Sequence, residues 1–118
     1  MKTPITLKVL DITGSNLCVS SEDGRAVFQK IKTALEAGHS VDLDFAGIDM
    51  VISAFLNAAL GKLVEIYDLK EIKEKVLYSH LEEADLELVD RVLKNAELYY
   101  QDPERFRKAL EIEDDDDQ

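Results

Sequence analysis

The residues in this chain that could do chemistry are few, and they gather around one stretch. Asp42 and Asp44 stand two apart in VDLDF, and Ser53 follows the turn that ends this segment. A hydroxyl at a helix start is a structural cap for orphan backbone N–H groups. The positive end of a helix is also electrostatically receptive to a phosphate, so a modified or partner-contacting Ser53 is the second role. Spacing of two puts both aspartates on one face of a strand, opposite Val41, Leu43 and Phe45. Their expected role is structural, with Asp44 capping the turn or a neighbouring backbone. Acid–base catalysis would need another group placed across a cleft, and the sequence names none.

The remaining candidates carry less. His39 follows Gly38 and reads as an exposed loop residue or a cation near a helix end, and His80 lies beyond a strand. One cysteine and two distant histidines lack zinc-ligand spacing, so no metal is expected. No GxxxxGK[ST], GxGxxG or GxSxG pattern occurs, which leaves neither a cofactor loop nor a hydrolase elbow. The expectation is a protein that is not an enzyme and takes no cofactor.

The elements that position these residues follow from periodicity. Val41, Leu43 and Phe45 alternate with the aspartates as in a strand, and Ala46-Gly47 breaks it. From Ala54 to Tyr67 the pattern is apolar on most faces, predicting a largely covered helix with Ser53 at its N-cap. Asn57 is the polar exception, hydrogen-bonded if buried and part of a recognition face if exposed. Phe55 is expected in the core, or as an aromatic anchor for a partner if it is exposed beside Ser53.

Upstream, Ile5, Leu7 and Val9, extending to Asp11-Ile12, predict a first strand. Gly14-Ser15-Asn16 predicts a turn, and Leu17-Cys18-Val19 a second strand paired with the first as a hairpin. Ser21 reads as the N-cap of a helix with Val27, Phe28, Ile31, Ala34 and Leu35 on one face and Gly38 at its C′ position. Asp68 to Lys75 reads as a charged connector of weak helical character, and Val76-Leu77-Tyr78 as a buried strand. A third helix opens at Glu82 with an apolar stripe of Leu86, Val89, Leu93 and Ala96. Asp102-Pro103 restarts a short helix with Phe106 and Leu110 as docking residues. The expected architecture is α/β: a mixed sheet of about four strands, helices mainly on one face, in the order ββαβαβα plus a C-terminal helix.

Bulk properties agree with a single domain over residues 1–110 and an acidic, disordered tail over 111–118. Of the net charge of −11, six carboxylates between Glu111 and Asp117 supply −6. An acidic chain without clustered lysine and arginine is not expected to bind nucleic acid. Its longest apolar runs fall short of a membrane span, and no secretory signal is read at the N-terminus. The lone Cys18 reads as a reduced core thiol in a cytoplasmic protein.

The segment VDLDFAGIDMVISAFLNAALGKL, residues 41–63, resembles the core of STAS domains, the fold of bacterial anti-sigma factor antagonists. It is closer to the short STAS-like proteins grouped as a domain of unknown function, DUF4325. In those a DF-G strand end (here Asp44, Phe45 and Gly47) precedes an S-F motif (here Ser53 and Phe55). A later segment resembles LEEADLELVDRVLKNAELYY, so the resemblance covers roughly residues 5–100. It implies a regulatory domain that binds a protein partner, a histidine-kinase-like ATPase, through the start of the Ser53 helix and the preceding loop. The implied contact surface is Asp49, Met50, Ile52, Ala54, Phe55 and Asn57 around Ser53. In antagonists the partner phosphorylates a hydroxyl at the helix start, and the added charge of about −1.5 to −2 blocks binding. Matching Leu60-Gly61-Lys62 to the family places Ala54 at the acceptor position and Ser53 one residue earlier. Ile52 stands where an aspartate is common, and Phe55 where a glycine is. The alternative is a constitutive subunit that self-associates, as a homodimer, or docks in a larger complex without a phosphoswitch.

Overall fold

The computed structural model describes residues 4–101. The main sheet is parallel and three-stranded, with β1 (Ile5–Lys8) and β5 (Val76–Ser79) flanking the central β3 (Val41–Asp44). Its register aligns Ile5 with Val41 and Val76, and Leu7 with Leu43 and Tyr78. These residues turn toward the core, while Thr6, Lys8, Asp42, Asp44, Leu77 and Ser79 share the opposite, more open face. The alternation in VDLDF therefore does what it predicts: one side is buried apolar surface, the other carries the carboxylates.

The hairpin expected between the first two strands is not formed. After Lys8 the chain turns into a short helix, α1 (Val9–Thr13), and Gly14 ends it at φ +72° with its N–H on Leu10 C=O at 2.8 Å. Val9 and Ile12, three apart, are a helical pair as readily as the end of an alternating run, and Gly14 is a helix stop instead of a hairpin turn. The second strand, β2 (Leu17–Cys18), pairs parallel with β4 (Met50–Val51) in a separate two-stranded ribbon. Among the described residues there are thus five short strands in two parallel sheets, in place of a single mixed sheet of four.

The helix α2 (Ser21–Glu36) buries the expected face of Val27, Phe28, Ile31, Ala34 and Leu35. Its cap is Ser20, one residue before the expected Ser21; the Oγ accepts from the Asp23 N–H at 3.0 Å. It ends in a Schellman motif: Gly38 at φ +87° donates to Leu35 C=O and His39 N–H to Ala34 C=O, both at 3.0 Å. His39 is half-buried, not an exposed loop residue, with its Nδ1 shielded and unpartnered among the described residues.

The Ser53 helix is made of α3 (Ser53–Leu56), a π turn (Asn57–Gly61) and α4 (Leu63–Ile66). Gly24 of α2 lies against it so closely that a Cβ there would stand 2.4 Å from Phe55 O and 2.7 Å from Ala58 Cβ. The close backbone approach explains why a glycine sits inside α2 despite its cost to helix formation. The charged stretch before β5 is a full helix, α5 (Leu69–Lys75), anchored by buried Ile72 and braced by a Glu71–Lys75 pair. The last described helix, α6 (Glu83–Gln101), buries Val89, Val92 and Leu93, whereas Leu86 stays exposed. The short helix expected after Asp102 and the acidic tail lie outside the described residues.

Candidate protein-docking site

The residues on either side of Ser53 are placed by the β2–β4 ribbon. Leu17 stands beside Met50 and Cys18 beside Val51. Outside the ladder, Asp49 N–H donates to Asn16 C=O at 2.8 Å and Ile52 N–H to Cys18 C=O at 3.0 Å. The Asn16 amide also donates to the Asp49 carboxylate, fixing the loop after Gly47, which turns at φ +81°. Strand alternation then sorts the side chains. Cys18 and Val51 face inward, and burial pushes the Cys18 thiol up to about 11, with nearby Asp23 adding to the effect. Leu17, Val19, Met50 and Ile52 face outward, exposed by 42%, 42%, 52% and 36%.

This strip abuts the start of α3. The N-cap position is held by Ile52, in extended geometry and without a side-chain cap, so Ser53 is the first helical residue and not the cap. Its side chain and that of Ala54 are exposed. Phe55 is fully buried, so it belongs to the core and drops out of the contact surface. Asn57 is exposed one turn on, at a groove of about 410 Å³ between the π turn and α6 that Asn95 and Tyr99 also line. Asp49 and Met50 additionally line a small cleft of about 120 Å³ with Glu82 and Asp85, placing carboxylates beside the apolar strip. Of the expected surface, Asp49, Met50, Ile52, Ser53, Ala54 and Asn57 are thus accessible. Leu17 and Val19 were not foreseen; their alternation about Cys18 is the signal that could have found them.

The two strand aspartates make separate links across the sheet. Asp42 accepts the Ser79 hydroxyl at 2.7 Å and 2.8 Å through its two oxygens. Asp44 accepts from the Ala46 N–H at 2.9 Å and meets His80 Nδ1 at 2.7 Å. The Ala46 bond, then His80, holds the Asp44 carboxyl below its ordinary range. His80 adopts φ +57°, which turns the chain sharply out of β5. A carboxylate and an imidazole in contact can orient a general base, but the neighbouring Ser79 hydroxyl is engaged by Asp42 instead. The arrangement ties β3 to β5 and caps the loop that leads to the ribbon, the structural role expected of Asp44. Among the described residues no group of three or more His, Cys, Asp or Glu side chains is arranged to hold a metal ion.

The family profile for the STAS-like domain of unknown function, DUF4325, matches residues 23–86, more than half of the chain. The chain belongs to the DUF4325 family. The matched stretch runs from the first turn of α2 into α6 and includes β3, the ribbon strand β4 and the whole Ser53 helix. In this STAS-like domain the β2 half of the outward strip lies before the matched stretch. Comparison with curated proteins and with solved structures found no match. No helix among the described residues is long and apolar enough to cross a membrane.

Proposed function

We propose that this STAS-like domain is a regulatory, non-enzymatic interaction module that docks a protein partner on the outer face of the β2–β4 ribbon and the start of α3. The observation that carries the reading is the outward strip of Leu17, Val19, Met50 and Ile52 beside exposed Ser53. Four large apolar side chains in one solvent-facing row are costly to leave hydrated, and contiguous patches of this kind mark interaction sites. Asp49, Glu82 and Asp85 at its margin favour a partner with apolar anchors flanked by basic side chains. The family resemblance suggests a histidine-kinase-like ATPase in the cytoplasm as that partner.

Ser53 is the point at which such a contact could be regulated. Its exposure and its freedom from capping leave the hydroxyl accessible, and a phosphate there would place new charge beside apolar contacts. The test is binding of a purified ATPase of this class, measured by calorimetry. Met50→Lys with Leu17→Lys is expected to weaken binding at least tenfold with an unchanged circular dichroism spectrum, and Ser53→Asp to weaken it as well. Undiminished affinity of the double variant would remove the ribbon as the docking surface. Equal affinity of Ser53→Asp and wild type would remove the switch and leave constitutive binding. Ala54 favours that second reading, because it offers no hydroxyl at the family's acceptor position.

A further inference from the structure

The main sheet ends at β5, and its outer edge is open among the described residues. The bond from Phe45 N–H to Ser79 C=O, 2.9 Å, fixes which way the backbone groups of this strand point. Because these groups alternate along a strand, Leu77 and Ser79 turn theirs toward β3, and Val76 and Tyr78 turn theirs outward. The Val76 N–H is taken by Ile72 C=O at the end of α5. The Tyr78 N–H and C=O have no partner among the described residues, and such an edge is a template for another strand.

Beside the edge runs an apolar groove of about 590 Å³ between β5 and α6, lined by Val76, Leu77, Tyr78, Leu86, Val89 and Leu93. Leu77 and Leu86 are exposed there. The charged groups in its lining are Lys73 and Asp90, which pair at 3.3 Å, so the groove is locally neutral in a chain of net charge −11. That balance selects the occupant. A two-fold contact sets a surface against itself, so it needs a face that does not repel its own copy. A two-fold that runs α6 antiparallel to its mate would bring the acidic start (Glu83, Asp85, Glu87) toward the middle turns that carry Arg91 and Lys94.

We propose that β5 pairs antiparallel with β5 of a second copy about a two-fold at Tyr78, joining two three-stranded sheets into one and laying α6 beside its mate over the joined grooves. The two Tyr78 residues exchange their outward N–H and C=O groups. This surface does not include the ribbon, so self-pairing stands or falls apart from partner docking.

Two measurements on the full chain test it. Sedimentation equilibrium is expected to give twice the 13.3 kDa monomer mass as concentration rises. Amide exchange at Tyr78 is expected to slow at least tenfold over the same range, whereas that of Leu77, already bonded within the sheet, stays constant. Leu77→Lys with Leu86→Lys, both on exposed side chains, should restore the monomer mass with an unchanged circular dichroism spectrum. A monomer mass at every concentration, or Tyr78 exchange indifferent to concentration, overturns the proposal. So does a dimer that survives this pair of substitutions and dissociates on Met50→Lys, which would make the ribbon the self-association surface. The exchange measurement needs no variant and decides the matter even if the double substitution unfolds the chain.

Discussion

Gly24→Ala isolates the contact on which the Ser53 helix rests. A methyl group at this position would meet Phe55 O at 2.4 Å and Ala58 Cβ at 2.7 Å, and both are rigidly placed. Neither atom sits at the end of a flexible side chain, so relief requires α2 and the Ser53 helix to separate by several tenths of an ångström. The same interface buries Val27, Phe28 and Ile31 on one side and Phe55 and Ala59 on the other, and all would lose part of their contact. Overpacking of this kind costs about 1–3 kcal/mol, and here backbone displacement puts it at the upper end. Better helix propensity of alanine returns up to about 1 kcal/mol. The net is a loss of about 2 kcal/mol, or a fall in Tm of roughly 8 °C for a domain of this size. Thermal and urea unfolding by circular dichroism measures it. Gly14→Ala is the control, since no atom lies within 4 Å of a Cβ there and only its φ of +72° is at stake, for about 1 kcal/mol. A Gly24→Ala protein as stable as wild type would refute the reasoning, because the two helices could not then be in the contact described.

Three other outcomes follow from the geometry. Asp44→Asn is expected to cost about 1 kcal/mol near neutral pH, through the Ala46 and His80 contacts. A carboxyl whose folded pKa is depressed contributes stability above its unfolded value near 3.9, and that stability is lost as pH falls through the folded value. The urea midpoints of variant and wild type should therefore converge below about pH 4. Tyr78→Phe removes a buried hydroxyl without a hydrogen-bond partner and is expected to raise stability by about 1 kcal/mol, read from the same denaturant curves. Cys18, fully buried with its thiol pushed up to about 11, should react with a thiol reagent at mildly alkaline pH only through opening of the ribbon, and so far more slowly than an exposed thiol. Rapid labelling of the native protein would contradict the inward placement of the ribbon's Cys18–Val51 face.

Sequence made the local patterns legible and the long-range pairings much less so. Val41–Asp44, Val76–Ser79 and the buried face of α2 follow directly from period-2 and helical spacing. The ribbon does not. Met50 and Val51 are two residues in a short apolar run, and their pairing with Leu17 and Cys18 spans more than thirty positions, a choice no local period encodes. The hairpin expectation failed at the same place, because Ile5, Leu7 and Val9 alternate whether or not the chain continues as a strand. Charge masked α5, whose anchors are only Leu69 and Ile72. At the site, Ser53, Met50 and Ile52 were legible as neighbours of a helix start. The burial of Phe55 depends on Gly24, thirty-one positions away, and the Asp44–His80 contact on strand register; neither is visible without the fold.

The small size of the ribbon bears on how the proposed docking would work. Two residues per strand and two flanking backbone bonds hold it outside the main sheet. Opening such a unit exposes little apolar surface beyond Cys18 and Val51, so it should fray at far lower free energy than the sheet and α2. If the ribbon is the docking face proposed above, that face would be a population, assembled part of the time while the core stays closed. A ligand that holds the ribbon together draws on that population, and its apparent affinity falls in proportion to the fraction already assembled. Substitutions at Asn16 that stiffen its link to Asp49 would thus tune affinity without replacing a residue of the apolar strip.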